Sequence, residues 1–139
     1  MNYKKFKSNQ GWLSFEYPSS MIQIEEDEGT YLFYTEDTGS FRITPLLLEG
    51  KGNFDADQFL RNRQREYGGE IKLNSAQNEY LYYKSLDEDD DLIIYNWIFA
   101  KNDKIIYCSY TIDVDTEEQE KIIIEKREVL TIIENLNFV

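Results

Sequence analysis

Short stretches of alternating apolar and polar residues dominate the first part of the chain and predict β-strands. Residues 12–17 alternate in this way, with Leu13 and Phe15 on one face, as in a half-buried strand. The acidic residues 26–29 form one connecting turn, and residues 49–53 are predicted to form another. The remaining strands of this part are predicted at 3–7, 21–25, 30–35 and 40–48.

The second part of the chain predicts two further hairpins. Its strands are expected at 70–75, 80–86, 92–100 and 104–112. The last two are apolar on both faces, a pattern typical of central strands that are covered on both sides. Between them, Asn102-Asp103 tolerates positive φ, which suits a tight turn.

Two segments carry the signals of α-helices. The first spans about 55–67, with Asp55 as N-cap, Gln58 three residues later and Gly68-Gly69 at its end. The second spans about 116–135, with Asp115 as the expected N-cap. The apolar positions predicted to be buried along the second helix are Ile122, Ile123, Val129, Leu130 and Ile133.

Composition supports one folded domain over residues 1–139. The chain has 139 residues, of which 41% are apolar and 15% aromatic, enough to build a core without disulfides or metal. The predicted fold class is α+β: a single, mainly antiparallel and strongly twisted sheet with two helices packed on it.

Targeting signals and cysteine usage both favour the cytoplasm. The N-terminal residues show no apolar signal sequence, and no stretch of the chain approaches the length of a membrane span. Cys108 is the one cysteine of the sequence, so no intramolecular disulfide can form, as is usual for a reducing compartment.

The formal net charge of −12 changes which partners are expected. A field of this sign repels nucleic acid and anionic lipid, and it attracts a basic protein. Plain solubility is the alternative explanation, because many cytosolic proteins are acidic.

Candidate chemistry is sparse. The sequence contains no histidine, which removes the commonest general base and transition-metal ligand. Cys108 lies between apolar neighbours in a predicted strand and is expected in the core. No glycine-rich phosphate loop has the required spacing. We therefore expect no enzymatic activity, no cofactor and no metal.

Two groups of residues are the candidate partner-binding site. The first is an acidic hairpin tip that would steer a basic partner, although such a tip can also be simply solvated. The second is a set of aromatic side chains on one sheet face, which bind a partner if the face is open and join the core if a helix covers it. The candidate residues are Asp87, Glu88, Asp89, Asp90, Asp91, Tyr82, Tyr95 and Trp97.

The order of elements resembles the PsbP-like α/β/α sandwich superfamily, which includes DcrB-type proteins and the Eag-type chaperones of type VI secretion effectors. The matching features are the segment Gly11–Pro18 near the start, Phe54-Asp55 opening a helix, the long aromatic hairpin and a last helix ending near Leu136. The resemblance is topological and carries no functional residue. It implies a non-catalytic adaptor, such as a chaperone, assembly factor or binding domain.

Together these observations predict a cytoplasmic protein-binding module, either a secretion-effector chaperone or a toxin-immunity protein, of unassigned oligomeric state. The alternative is a domain that binds a small ligand or cation in a pocket beside the aromatic hairpin.

Overall fold

Two antiparallel sheets and two α-helices are seen in the computed structural model, which describes residues 2–36, 38–48 and 54–139. The predicted α+β class and antiparallel pairing are confirmed. The strands are divided between a three-stranded and a seven-stranded sheet, where one sheet was expected. The turn predicted at 49–53 lies outside the described residues.

The smaller sheet has the order β1-β2-β10 and joins the two ends of the described chain. Its central strand takes apolar side chains from alternate positions, so that Leu13 and Phe15 are buried while Glu16 is exposed. The strands are β1 (Tyr3–Lys7), β2 (Leu13–Pro18) and β10 (Asn137–Phe138).

The larger sheet has the order β3-β4-β5-β9-β8-β7-β6, so that β3 and β6 lie at its edges. The predicted hairpin of β8 and β9 lies near its centre and turns at Asn102, which has a φ of 56°. The strands are β3 (Ile22–Glu25), β4 (Tyr31–Tyr34), β5 (Ser40–Leu47), β6 (Glu70–Leu73), β7 (Glu79–Asp87), β8 (Leu92–Lys101) and β9 (Lys104–Asp113).

Helix α1 (Ala56–Tyr67) begins and ends as predicted. The Asp55 side chain accepts a hydrogen bond from the backbone N–H of Gln58 at 3.1 Å, which satisfies one of the free donors at the helix start. At the other end Gly68 and Gly69 both have positive φ.

Helix α2 (Glu120–Asn135) begins later than predicted, so Asp115 as its N-cap is wrong. Asp115 belongs to a 3₁₀ turn, Val114–Thr116, which the Thr116 hydroxyl closes by donating to the Asp113 carbonyl at 2.7 Å. Gln119 then has an extended backbone and occupies the N-cap position.

The two helices lie on opposite faces of the larger sheet. Helix α2 and the smaller sheet cover one face and enclose the main core with side chains such as Phe33, Phe41 and Trp97. Helix α1 lies on the other face against β6, β7 and β8, where Leu60 packs with Leu81 and neighbours. The result is three layers.

The buried side of α2 differs in part from the prediction. Ile122, Val129 and Ile133 are buried as expected, but Ile123 and Leu130 are exposed. Ile132 and Glu125 are buried as well. The stripe therefore repeats at 122, 125, 129 and 132–133, one helical turn at a time, and it includes a glutamate.

A buried asparagine joins the end of α2 to the β6–β7 loop. The Asn74 side-chain amide donates to the carbonyls of Ile133 and Leu136 at 2.9 and 2.7 Å, and its oxygen accepts from the N–H groups of Ala76 and Asn78. This side chain satisfies carbonyls that the helix end leaves free.

Candidate functional site

The acidic tip, residues Asp87–Asp91, connects β7 to β8 and projects into solvent. Glu88, Asp89 and Asp90 are exposed, and the Asp87 carboxylate accepts a hydrogen bond from the Asp90 N–H at 3.3 Å. No group of three candidate metal ligands occurs within the described ranges. The tip is therefore an accessible negative surface that lies apart from the predicted aromatic residues.

The aromatic candidates do not form an open surface, because α2 and the smaller sheet cover their face. Trp97 is 1% exposed and Tyr95 is 2% exposed, so both are core residues, which corrects their prediction as partner-contacting residues. Tyr82 is half-buried against Trp97, with the ring centroids 5.7 Å apart.

A small charged cluster surrounds the hydroxyl of Tyr95. The hydroxyl donates to Glu117 at 2.5 Å, and the Lys84 ammonium contacts the same carboxylate at 2.7 Å. These two hydrogen bonds, that of Lys84 above all, hold the pKa of Glu117 below its usual range. Burial, together with the same glutamate, raises the pKa of Tyr95.

Beside this cluster lies a cleft of about 220 Å³ between α2 and the sheet. Lys126 lies over the Tyr95 ring at 3.9 Å, and burial lowers the pKa of its ammonium. Ile123, Arg127 and Leu130 also line the cleft. Here the predicted pocket beside the aromatic hairpin has a structural counterpart, whose walls are apolar and basic and include the carboxylate of Glu117.

Glu125 is a buried carboxylate that the sequence analysis did not single out. Its Oε1 accepts from the Gly39 N–H and the Tyr110 hydroxyl, both at 2.8 Å. Its Oε2 accepts from the hydroxyls of Thr35 and Thr38. Four donors satisfy the charge, and the arrangement holds the β4–β5 loop against α2. Its role is structural.

The face of the larger sheet that carries α1 is only half covered. In the described part of the chain α1 packs against β6, β7 and β8, and the face over β3, β4, β5 and the adjoining β9 is left open. Four large apolar side chains are exposed on this open half, which we call the uncovered face. They are Ile22 at 50%, Ile24 at 43%, Leu46 at 42% and Tyr107 at 40%.

Strand pairing places a continuous row of residues across this surface. The row changes from apolar at the β3 edge to polar in the middle and to aromatic at Tyr83, which stacks on Tyr67 at the end of α1. In order across the sheet it consists of Ile24, Leu32, Arg42, Ser109, Asn96 and Tyr83.

The polar middle of the row forms the floor of a shallow concavity of about 270 Å³. Arg42 lies at its side, where its Nε donates to Glu26 at 2.9 Å. Ser109 and Thr44 add hydroxyl groups, and Tyr107 adds an aromatic wall. The surface offers hydrogen bonds beside apolar contact area, which is the composition of a binding surface.

Sequence reasoning missed this surface, although a signal was present. Asn96 and Ser109 interrupt the apolar alternation of β8 and β9, and they are paired in the sheet. The turn at Asn102-Asp103 sets Lys101 opposite Lys104. Counting back along both strands from that pair places Asn96 opposite Ser109. Two polar residues opposite each other indicate a face that is not packed against a helix.

The model of the protein family described as Domain of unknown function (DUF3805) matches residues 1–134. The chain belongs to this family. A search of curated proteins finds no match. The described residues contain no helix that is both long and apolar enough to cross a membrane.

Two solved structures place the DUF3805 fold among known architectures. A crystal structure from Bacteroides thetaiotaomicron VPI-5482 matches with a TM-score of 0.76 and 24% identity, covering 100% of this chain and 49% of that one. The chain thus spans about half the length of that relative. The solution structure of cyanobacterial PsbP (CyanoP) from Synechocystis sp. PCC 6803 matches with a TM-score of 0.62 and 12% identity, covering 99% and 92%. The fold is PsbP-like.

Proposed function

We propose that this chain is a non-catalytic protein-binding module that holds its partner on the uncovered face. The observation that carries this proposal is that four large apolar side chains are exposed on one half of a sheet face that also holds a polar concavity. Exposed apolar area beside polar groups is typical of interaction sites.

The charge of the chain supports a basic partner. With a net charge of −12, long-range attraction would accelerate encounter, and the apolar contacts would then supply most of the lasting affinity. The acidic tip is the proposed steering surface, because its carboxylates are exposed. A secretion-effector chaperone and a toxin-immunity protein, acting in the cytoplasm, are the two roles we propose within this class.

Affinity capture from the lysate of the native host tests the proposal, with proteins quantified by mass spectrometry. The Leu46→Ser/Tyr107→Ser variant removes apolar area from the uncovered face, and Ile123→Ser/Leu130→Ser removes a comparable area beside α2. We expect the wild type and the α2 variant to recover the same partner, and the face variant to recover it at least about tenfold less, since two lost apolar contacts exceed about 1.4 kcal/mol.

If the face variant recovers the partner and the α2 variant does not, the uncovered face is not the contact surface. Recovery of no partner at low or high salt would contradict protein binding itself. Increased salt should weaken the capture if the acidic surface accelerates association.

The cleft beside Tyr95 favours a second function, the binding of a small anionic amphiphile. Its wall combines Lys126 and Arg127 with Leu130, and Glu117 also lines the cleft, where it is paired with Lys84. A carboxylate or sulfate head would therefore lie against Lys126 and Arg127, with its apolar tail on Leu130. Decanoate and dodecyl sulfate below their micellar concentrations are suitable probes. Saturable binding raises the melting temperature, and Lys126→Gln should remove that rise. Unchanged melting with both probes would contradict this function.

A further inference from the structure

Strand β3 presents a free edge of the larger sheet. In the described part of the chain it pairs with β4 alone, and all four of its residues are exposed. An edge strand of this kind offers unpaired N–H and C=O groups on which another strand can form.

The other sheet edges carry more features that discourage such pairing than β3 does. Edge strand β1 carries Lys4, Lys5 and Lys7, and β10 has only two residues. Edge strand β6 carries an ion pair between Lys72 and Glu70 at 3.4 Å. Lysines and charges are the usual protection of an edge. The β3 sequence Ile-Gln-Ile-Glu contains neither lysine nor proline, and its one charged residue is Glu25, so this edge discourages a basic strand least.

The two faces of β3 differ in chemistry. Ile22 and Ile24 lie on the uncovered face, in line with Leu32 and Tyr34 of β4, whereas Gln23 and Glu25 point to the opposite face because side chains alternate along a strand. An added strand would therefore find apolar neighbours on one face and polar or acidic neighbours on the other.

The turn after β3 is strongly acidic, which indicates the charge of the added strand. Glu25, Glu26, Asp27 and Glu28 follow one another. Among the described ion pairs only Glu26 has a basic partner, Arg42. A second copy of this chain would bring the same negative charge to the edge, and with −12 on each copy the repulsion disfavours it.

We propose that β3 accepts an extended segment of a basic partner protein as an additional strand of the larger sheet. This inference rests on the proposed function and specifies how the partner is held. Backbone hydrogen bonds supply the pairing, as in strand addition at other sheet edges. Valine-like side chains of the segment lie beside Ile22 and Ile24, and lysine or arginine side chains alternate with them and lie near Glu25.

Titration of the ¹⁵N-labelled chain with an acetylated and amidated Lys-Val-Lys-Val-Lys-Val peptide tests this inference by NMR. We expect saturable shifts centred on the amides of β3 and intermolecular NOEs to Ile22 and Ile24. Only alternate N–H groups of an added strand face the sheet, so one peptide N-methylated at its lysines and another N-methylated at its valines are compared. One of the two should bind at least about tenfold more weakly, since its blocked N–H groups would have bonded to β3. A Glu-Val-Glu-Val-Glu-Val peptide should cause no shifts.

A pair of variants controls for charge and folding. Ile22→Lys/Ile24→Lys changes two exposed side chains and should abolish the shifts, because it makes the edge basic. Leu73→Lys/Leu86→Lys makes the same charge change at two other exposed positions and should bind the peptide within about twofold of the wild type, since those positions lie away from β3.

Three results would overturn the inference. These are shifts centred on β6 or on the acidic tip, binding that N-methylation does not weaken, and no binding of the basic peptide. If the peptide titration gives one of these results but partner capture still depends on Leu46 and Tyr107, only the assignment of β3 as the binding edge fails. If the peptide binds β3 but the Leu46→Ser/Tyr107→Ser variant captures the partner as well as the wild type does, the proposed function fails instead.

Discussion

Two glutamates on one side of α2 lie in different hydrogen-bonding surroundings. Glu125 is fully buried, but four donors satisfy it. Glu128, one turn later, has a buried Oε2 without a hydrogen-bond partner in the described structure. Burial is the main cause that raises the pKa of Glu128, and the negative charge of Glu125 raises it further. Ionised Glu128 therefore opposes folding.

The opposite shifts of the Glu117 and Glu128 pKa values predict opposite effects of their amide variants. The lowered pKa of Glu117 means that its ionised form stabilises the fold above the ordinary glutamate pKa of about 4.3, and that this stability is lost as the pH falls through the lowered value. We expect Glu117→Gln to be less stable than the wild type at pH 7, and the difference to shrink towards pH 4.

For Glu128 the raised pKa reverses the sign, because stability is lost as the pH rises through the folded-state value. We expect Glu128→Gln to be more stable than the wild type at pH 7 and equal to it near pH 4. Urea unfolding at pH 4, 5.5 and 7 measures both variants, with the exposed Glu88→Gln as control. A change of the same sign in both variants at pH 7 would contradict this assignment.

Individual residues of this fold differ in how far the sequence reveals them. The pairing of Asn96 with Ser109 follows from the position of the hairpin turn. The burial of Glu125 does not follow from any local pattern, because its donor Gly39 lies 86 residues away along the chain. A glutamate within a helix normally indicates the solvent side. The hydrogen-bond donors around Glu125 could therefore be identified only from the folded structure.

At the scale of elements, the Gly68-Gly69 junction sets how α1 returns to the sheet. Gly68 has a φ of 78° and a ψ of −160°, a region open almost only to glycine. Gly69 also has a positive φ, of 92°, and a Cβ there would lie 2.1 Å from the carbonyl oxygen of Tyr82. The junction therefore needs both glycines, for partly different reasons.

Alanine substitutions at Gly68 and Gly69 separate the backbone strain at positive φ from the steric contact with β7. We expect Gly68→Ala to cost about 1–3 kcal/mol of unfolding free energy through backbone strain alone. Gly69→Ala should cost at least about 1 kcal/mol more, because the contact with β7 must also open. Urea midpoints at pH 7 measure both. Equal losses would show that the predicted contact with the Tyr82 carbonyl has no energetic effect.

Elements with local signals were predicted best. Helix α1 has its cap, its stop and its apolar positions within about fifteen residues, and its bounds are confirmed. The smaller sheet pairs β2 with β10, which joins Leu13 to Phe138 from opposite ends of the chain. A two-residue strand has no pattern of its own, and its partner is chosen by packing, so one sheet was predicted where there are two.

For the whole molecule, the excess of 27 acidic over 15 basic residues creates self-repulsion that salt can screen. We expect the melting temperature to rise by roughly 2–5 °C between about 20 and 300 mM NaCl, the equivalent of about 1 kcal/mol. Differential scanning calorimetry measures the change.

A variant of the acidic tip provides the control for that prediction. Glu88→Gln, Asp89→Asn and Asp90→Asn together remove three exposed charges and should reduce the rise with salt. The same rise in this variant would indicate that salt acts elsewhere on the chain.

The net charge of the molecule can be counted directly from the sequence, whereas the coverage of the sheet faces depends on where each helix lies and appears only in the folded molecule.

The Asn74 side chain also has a consequence for the order in which the chain folds. The last turn of α2 has no basic side chain of its own, and the amide that holds its carbonyls comes from 59 to 62 residues earlier. Such distant contacts form only after a long loop has closed. The final turn of α2 should therefore become ordered together with the β6–β7 loop, and its amide protons should exchange with solvent whenever that loop opens.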